Sequence, residues 1–186
     1  MTAAKALKAI TYEEMVKAIA SFLDSHSGVD PKRILNAASI RGADLSEMIS
    51  SSKAYSPMAK TAFMLFELVE NREEDYITKG EKTTSMSTIQ TFDLHLMIYG
   101  NASPSAAQQV SAAFKREENA MALRDLGIFV NGVVPVEAVN EFINNTWLLR
   151  RDVVIRLQAR FEFDDPASDP GVFDDAQTIQ AIVVEA

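Results

Sequence analysis

The chain has 186 residues, 47% of them hydrophobic, and 26 Asp plus Glu against 18 Lys plus Arg give a net charge of −8. That length suits one compact domain, the apolar fraction is too high for a disordered chain, and the longest unbroken apolar run, Ala62 to Phe66, is far short of the roughly 18 residues of a membrane helix. Cysteine is absent, which excludes a disulfide scaffold, a thiolate metal site and a cysteine nucleophile, and fits a reducing compartment.

The acidity is regional. Residues 61–100 carry 7 acidic and 3 basic groups and residues 151–186 carry 8 and 3, whereas residues 1–60 carry 6 and 8. Its two centres are Glu67, Glu70, Glu73, Glu74 and Asp75, and the tail residues Asp164, Asp165, Asp169, Asp174 and Asp175. Tight binding to a phosphate backbone needs clustered Lys and Arg to displace counterions, and no such stripe occurs. Direct nucleic-acid recognition is therefore disfavoured. An acidic surface can instead act by repulsion, as the wall of a conduit through which DNA slides, or it can be an ordinary solvated face.

The first fifteen residues hold two lysines but no apolar core of about 7 to 15 residues, so secretion through a signal peptide is not expected. From Thr11 to about His26, the apolar positions Met15, Ile19, Phe22 and Leu23 recur at helical spacing, Thr11 and Glu14 form a capping-box pair, and Gly28 stops the helix. Residues 29–59 are harder to assign. Pro31 breaks the chain, Arg33 to Ala38 suits a short strand or helix, and a weak helical pattern covers 44–52.

Thr61 to Glu70 reads as a strand that is apolar on both faces, so both should be covered. The segment from Thr91 to Tyr99 alternates Phe92, Leu94, Leu96 and Ile98 against Asp93, His95 and Met97, which predicts one buried face and one mixed face. Between them, Asn71 to Ser87 reads as a long polar hairpin loop. Ser103 is the expected cap of a single long helix with Pro104 in its first turn, a stripe of Val110, Ala113, Phe114, Ala120 and Met121, and Gly127 closing it. Ile128 to Val134 suits a short strand interrupted by Asn131–Gly132, followed by a connection.

The strand with the clearest register runs from Asp152 to Phe163, with Val153, Ile155, Leu157, Ala159, Phe161 and Phe163 on one side and Arg156, Gln158, Arg160 and Glu162 on the other. Trp147, at its start, reads as a core side chain, and Arg150 and Arg151 as salt-bridge partners. Beyond it an acidic linker leads to a strand-like end containing Ile179, Ile182 and Val184. That end either pairs within its own chain or reaches a neighbour, since a linker of about 12 residues spans up to roughly 40 Å when extended. The expected division is thus one domain over 1–164 and a linker with an arm over 165–186.

Chemistry is sparse. Two histidines, His26 and His95, with no cysteine do not make an ordinary zinc site, and the carboxylates lack calcium-loop spacing. Gly80, Glu81, Lys82 and Thr83 miss the glycine pattern of a phosphate loop. Asp93 and His95 share a strand face, where a carboxylate could orient an imidazole as a base, though a surface or interface histidine fits the same pattern better. No cofactor or metal is expected.

One ordered set of features is distinctive: a Tyr55 to Pro57 lead-in to an apolar strand, a long polar segment, a strand ending Tyr99–Gly100, a helix beginning at Pro104, a Leu126–Gly127–Ile128 exit, and the run from Asn145 to Phe163 containing Trp147, Arg150 and Arg151. This order resembles the neck or tail terminator proteins of tailed bacteriophages over about residues 55–164. The glutamate that commonly follows the tryptophan there is absent, with Leu148 and Leu149 in the corresponding place.

The resemblance implies a small α+β subunit, non-enzymatic, forming a six-membered ring between the head connector and the tail tube. That ring would stop tube growth, contact tube, sheath and connector proteins, and let double-stranded DNA pass through its lumen, in virions assembled in the host cytoplasm. The expected architecture is a largely antiparallel sheet of about four strands packed by two main helices, with no membrane association. Candidate lumen residues are Glu67, Glu70, Glu73, Glu74 and Asp75. Candidate subunit contacts are Phe63, Met64, Phe66, Asp93, His95, Tyr99, Ile179, Ile182 and Val184. Another tail-tube or connector subunit is the nearest rival, and a small enzyme or ligand-binding module using Asp93 and His95 a more distant one.

Overall fold

The computed structural model describes residues 8–40, 62–79, 85–143 and 146–164. The helix expected over 44–52, the Tyr55–Pro57 lead-in, Gly80 to Thr83, and the arm with Ile179, Ile182 and Val184 lie outside them. In chain order the elements are α1 (Tyr12–His26), β1 (Ile34–Asn36), β2 (Phe63–Lys79), β3 (Ser85–Tyr99), α2 (Ser103–Lys115), α3 (Glu117–Asp125), β4 (Ile128–Val133), β5 (Glu137–Ile143) and β6 (Thr146–Asp164). The fold is α+β, with a mixed, mostly antiparallel sheet that does not close. Among the described residues it has six strands and three α-helices, more than the four and two that periodicity suggests.

Strand β6 is the centre of the sheet, whose order is β1-β2-β3-β6-β4 with β5 also on β6. One edge of β6 pairs with β3 from Tyr99↔Arg150 to Ser85↔Asp164. The other edge is shared in succession by Ala9, β4 and β5. At about 3.3 Å per residue its 19 residues span roughly 60 Å, longer than the helices that cover it, so two hairpins project from opposite ends: β2–β3 at one, β5–β6 at the other.

The core forms because apolar residues of matching period meet. Val153, Ile155, Leu157 and Ala159 of β6, Phe92, Leu94, Leu96 and Ile98 of β3, and Met64 and Phe66 of β2 are buried on one face. Against them pack Met15, Ile19, Phe22 and Leu23 of α1 and Ala106, Ala107, Val110, Ala113 and Phe114 of α2, with the Phe22 and Phe114 rings 4.4 Å apart. The capping box that starts α1 is present: the Glu14 N–H donates to Thr11 Oγ1 at 3.2 Å and the Thr11 N–H donates to Glu14 Oε2 at 2.8 Å. A smaller cluster of Phe63, Leu65 and Tyr99 lies on the opposite face, covered by Leu35, Ala37 and Ile40. Both faces of the start of β2 are thereby buried, as its composition requires.

Three segments differ from their sequence pattern. The stretch 71–87 reads as a polar loop, yet most of it is strand, with Tyr76, Ile77 and Thr78 paired to Ile89, Thr88 and Ser87. These are β-favouring residues, and the far half of β6 supplies a third strand to support them. The single helix expected from Ser103 onward is two. Its stripe of Val110, Ala113 and Phe114 would next place Glu117 and Glu118 against the sheet, and the chain avoids this by turning extended at Arg116 (φ −73, ψ 129). Consequently Leu123 is buried and Met121 exposed. Ser103 does not cap α2: the N-cap is Ala102, without a side-chain hydrogen bond. Finally, the connection expected after β4 contains β5, and Asn131–Gly132 makes a β-bulge rather than a turn.

Gly127 links α3 to β4 at φ 97, and a Cβ there would sit 2.5 Å from the Lys8 carbonyl oxygen. Backbone strain of this kind costs about 1–3 kcal/mol before any clash. Gly127→Ala should therefore lower the unfolding free energy by at least about 2 kcal/mol in urea titrations; an unchanged midpoint would mean the N-terminal segment moves aside freely.

Candidate assembly interface

Among the described residues the α-helices cover one face of the sheet only. On the other face, alternation along β2, β3, β6 and β5 sets side chains in rows: Val69, Asp93 and Arg156; Glu67, His95 and Val154; Leu65, Met97, Asp152 and Glu137; Phe63, Tyr99, Arg150 and Val139. The middle rows form a groove of about 450 Å³ lined by Glu67, Val69, His95, Met97, Glu137, Arg150, Asp152 and Val154.

Its charges are largely paired. Arg150 makes a fork, with Nε and Nη2 donating to the two Asp152 carboxylate oxygens at 2.6 and 2.7 Å and Nη1 donating to Glu141 Oε1 at 2.7 Å. The Tyr99 hydroxyl donates to the other Glu141 oxygen at 3.1 Å, and the guanidinium lies 5.7 Å from the Tyr99 ring centre. This cluster ties β3, β5 and β6 together. Burial acts against the Arg150 cation, but the Asp152 hydrogen bond and the surrounding negative groups outweigh it and hold its pKa above the ordinary value. Glu141 was missed in the sequence because β5 is so weakly patterned; recognising a hairpin about residues 144 and 145 would have placed it beside Arg150.

The expected contact residues divide. Phe63, Met64, Phe66 and Tyr99 are buried inside the protomer, Phe63 and Tyr99 stacked at 4.7 Å. Asp93 and His95 are half-buried on the open face. Arg156 Nε donates to Asp93 Oδ1 at 3.1 Å, so this carboxylate is engaged by a cation and not by an imidazole. Among the acidic residues, Glu67 is half-buried opposite His95 and Glu70 is exposed. The register of β2 shifts between Asn71, paired with Thr91, and Tyr76, paired with Ile89. Residues 72–75 therefore stand opposite Gln90 alone, so Glu73, Glu74 and Asp75 fall within a bulge of the β2–β3 ladder.

Of the remaining distinctive residues, Gly100 turns the chain at φ 100 and donates its N–H to the Leu149 carbonyl at 3.0 Å. Arg151 Nη1 donates to the Arg150 carbonyl at 2.9 Å. Trp147 corrects the sequence reading: it is not a core residue but 68% exposed, its ring against that of its hairpin partner Phe142. The strand runs on past the helical layer, so among the described residues no helix lies over it. Among the described residues no group of three His, Cys, Asp or Glu side chains gathers as a metal site would require, and no helix is long and apolar enough to cross a membrane.

These features define an α+β protein with a one-sided helical layer, an open sheet face and projecting hairpins. The chain matches the family model of phage neck terminator proteins over residues 33–185 and belongs to that family. It is accordingly a structural protein of the bacteriophage neck and a component of the virion. No curated protein matches it.

Burial, partly offset by the Arg150 charge and reinforced by Glu141, pushes the Tyr99 phenol well above its ordinary 10.0. A pKa raised by folding contributes stability that is intact below the unfolded value and lost as pH climbs beyond it. Tyr99→Phe should cost about 1 kcal/mol at neutral pH through the lost hydrogen bond, and its stability should decline less steeply than wild type above pH 10. Parallel alkaline slopes in denaturation would show that Tyr99 ionises equally in both states.

Proposed function

We propose that copies of this chain close into a ring, six in number, at the junction between the head connector and the tail tube. There the ring ends the tube and presents the joining surface for connector, tube and sheath proteins. The observation that carries this reading, beside family membership, is the one-sidedness of the sheet: helices cover one face, while the other keeps a partly apolar groove and both hairpins extend past the helices. Such surfaces suit contact with sister copies. Residues 165–186 are read as a separate arm that reaches a neighbour, with Ile179, Ile182 and Val184 as its apolar contacts.

DNA would cross the lumen without specific binding. The β2 segment carrying Glu70, Glu73, Glu74 and Asp75 is read as the lumen wall, with Glu67 on the open-face groove instead, since a dense negative surface lowers the affinity of a polyanion at every sequence. Assembly in the host cytoplasm, followed by residence in the virion, fits the absence of cysteine.

Electron microscopy and native mass measurement of the purified chain, alone and with tail tubes, should show rings of six at tube ends; a chain bound along tube walls, or absent from them, would sink the reading. Replacing Glu73, Glu74 and Asp75 together by Lys should preserve the ring and make it retain duplex DNA, with salt-sensitive retention. Rings of this variant that ignore DNA as the wild type does would remove these residues from the lumen.

A further inference from the structure

We propose that the aromatic tip of the β5–β6 hairpin of one copy docks into the open-face groove of the next; this rests on the ring reading above and names the contact that builds it. Phe142 and Trp147 stand opposite each other in register, rings 5.1 Å apart, yet are 56% and 68% exposed. Leu149, also exposed, follows on the same side of the strand. One exposed apolar residue is ordinary, but a contiguous set containing a tryptophan on a projecting element is the composition of a binding anchor.

The groove is its complement. A volume of about 450 Å³ lies within the range of about 300–1000 Å³ usual for ligand-binding pockets. Val69, Met97 and Val154 offer apolar contact, and Glu67 and Glu137 offer carboxylates to which an indole N–H can donate. Arg150, which also lines the groove, is already neutralised by Asp152 and Glu141, so docking an aromatic there strands no unpaired cation.

The occupant is a second copy for a geometric reason. Trp147 and Leu149 share the parity of the core residues Val153 and Ile155, whereas the groove lies on the other side of the sheet. A tip cannot fill the groove of its own chain. Tip and groove are different patches of one surface, so each docking leaves a free tip and a free groove for the next copy, and the series closes into a ring when the rotation per copy divides a full turn.

Trp147 is the sole tryptophan, so its fluorescence reports the contact directly. Sedimentation of the full chain across concentration should show assembly accompanied by a blue shift of emission and loss of quenching by acrylamide. Trp147→Ser, at an exposed position compatible with folding, should weaken assembly about 30-fold, as loss of an interfacial hot spot does. Val69→Lys places an ammonium in the groove across from Asp93 and should weaken it similarly while leaving the indole quenchable. Mixed together, the two variants should form a dimer through the one intact tip and the one intact groove, and grow no further. Rings that form with a quenchable indole, or from Trp147→Ser at wild-type strength, overturn the docking and leave the ring standing; a wild-type chain that stays monomeric or stops at a dimer overturns both.

Discussion

The alternation along β6 is the constraint on which the rest of the fold depends. Val153, Ile155, Leu157 and Ala159 are wholly buried beneath the helices, while Asp152, Val154, Arg156 and Gln158 face the open side. A slip of one residue would put Asp152 and Arg156 into the core and expose four apolar side chains, an inversion that side-chain period two makes all-or-none. Since β6 is paired along both edges, its register is passed to β3 on one side and to Ala9, β4 and β5 on the other. Through β3 it reaches β2, and so sets Glu67 in the row of His95 and Val69 in the row of Asp93.

From this one-sided burial comes the division of labour between the two faces. The helix-packed face supplies cohesion within the protomer. The open face carries a partly apolar groove, beside which Arg150 is matched in place by Asp152 and Glu141 and Arg156 by Asp93. Paired charges of fixed geometry are what a positioning network needs, because each partner loses freedom only once. This arrangement suits a protein of the phage neck, whose work is to hold a geometry against other subunits.

The hairpins show why pattern alone under-reads such a protein. The strand character of 71–87 does not show in its polar composition, because the pairing of β2 with β3 is made by backbone ladder hydrogen bonds that need no hydrophobic alternation. β5 was hidden for the same reason, and with it Glu141. Trp147 was misplaced by the opposite error: large aromatic residues are usually buried, and only the length of β6 relative to the helices reveals that this one lies past the edge of the core. The helix break at Arg116, by contrast, was written in the chain, in the two glutamates where the apolar stripe should have continued.

What the sequence by itself determined is the part governed by local period and local chemistry: the α+β class, the Thr11–Glu14 cap, the buried faces of β3 and β6, the glycine stops at 28, 100 and 127, and the ordered features that resemble a neck terminator. Only the tertiary structure decided which residues stand opposite one another, that the aromatic pair lies exposed at a tip, that Arg150 meets Glu141, and that the acidic stretch falls in a bulge opposite Gln90. The physical reason is range. Burial and capping are settled by neighbours a few residues away, whereas strand pairing joins residues as distant as Asp93 and Arg156, and no local pattern encodes that choice.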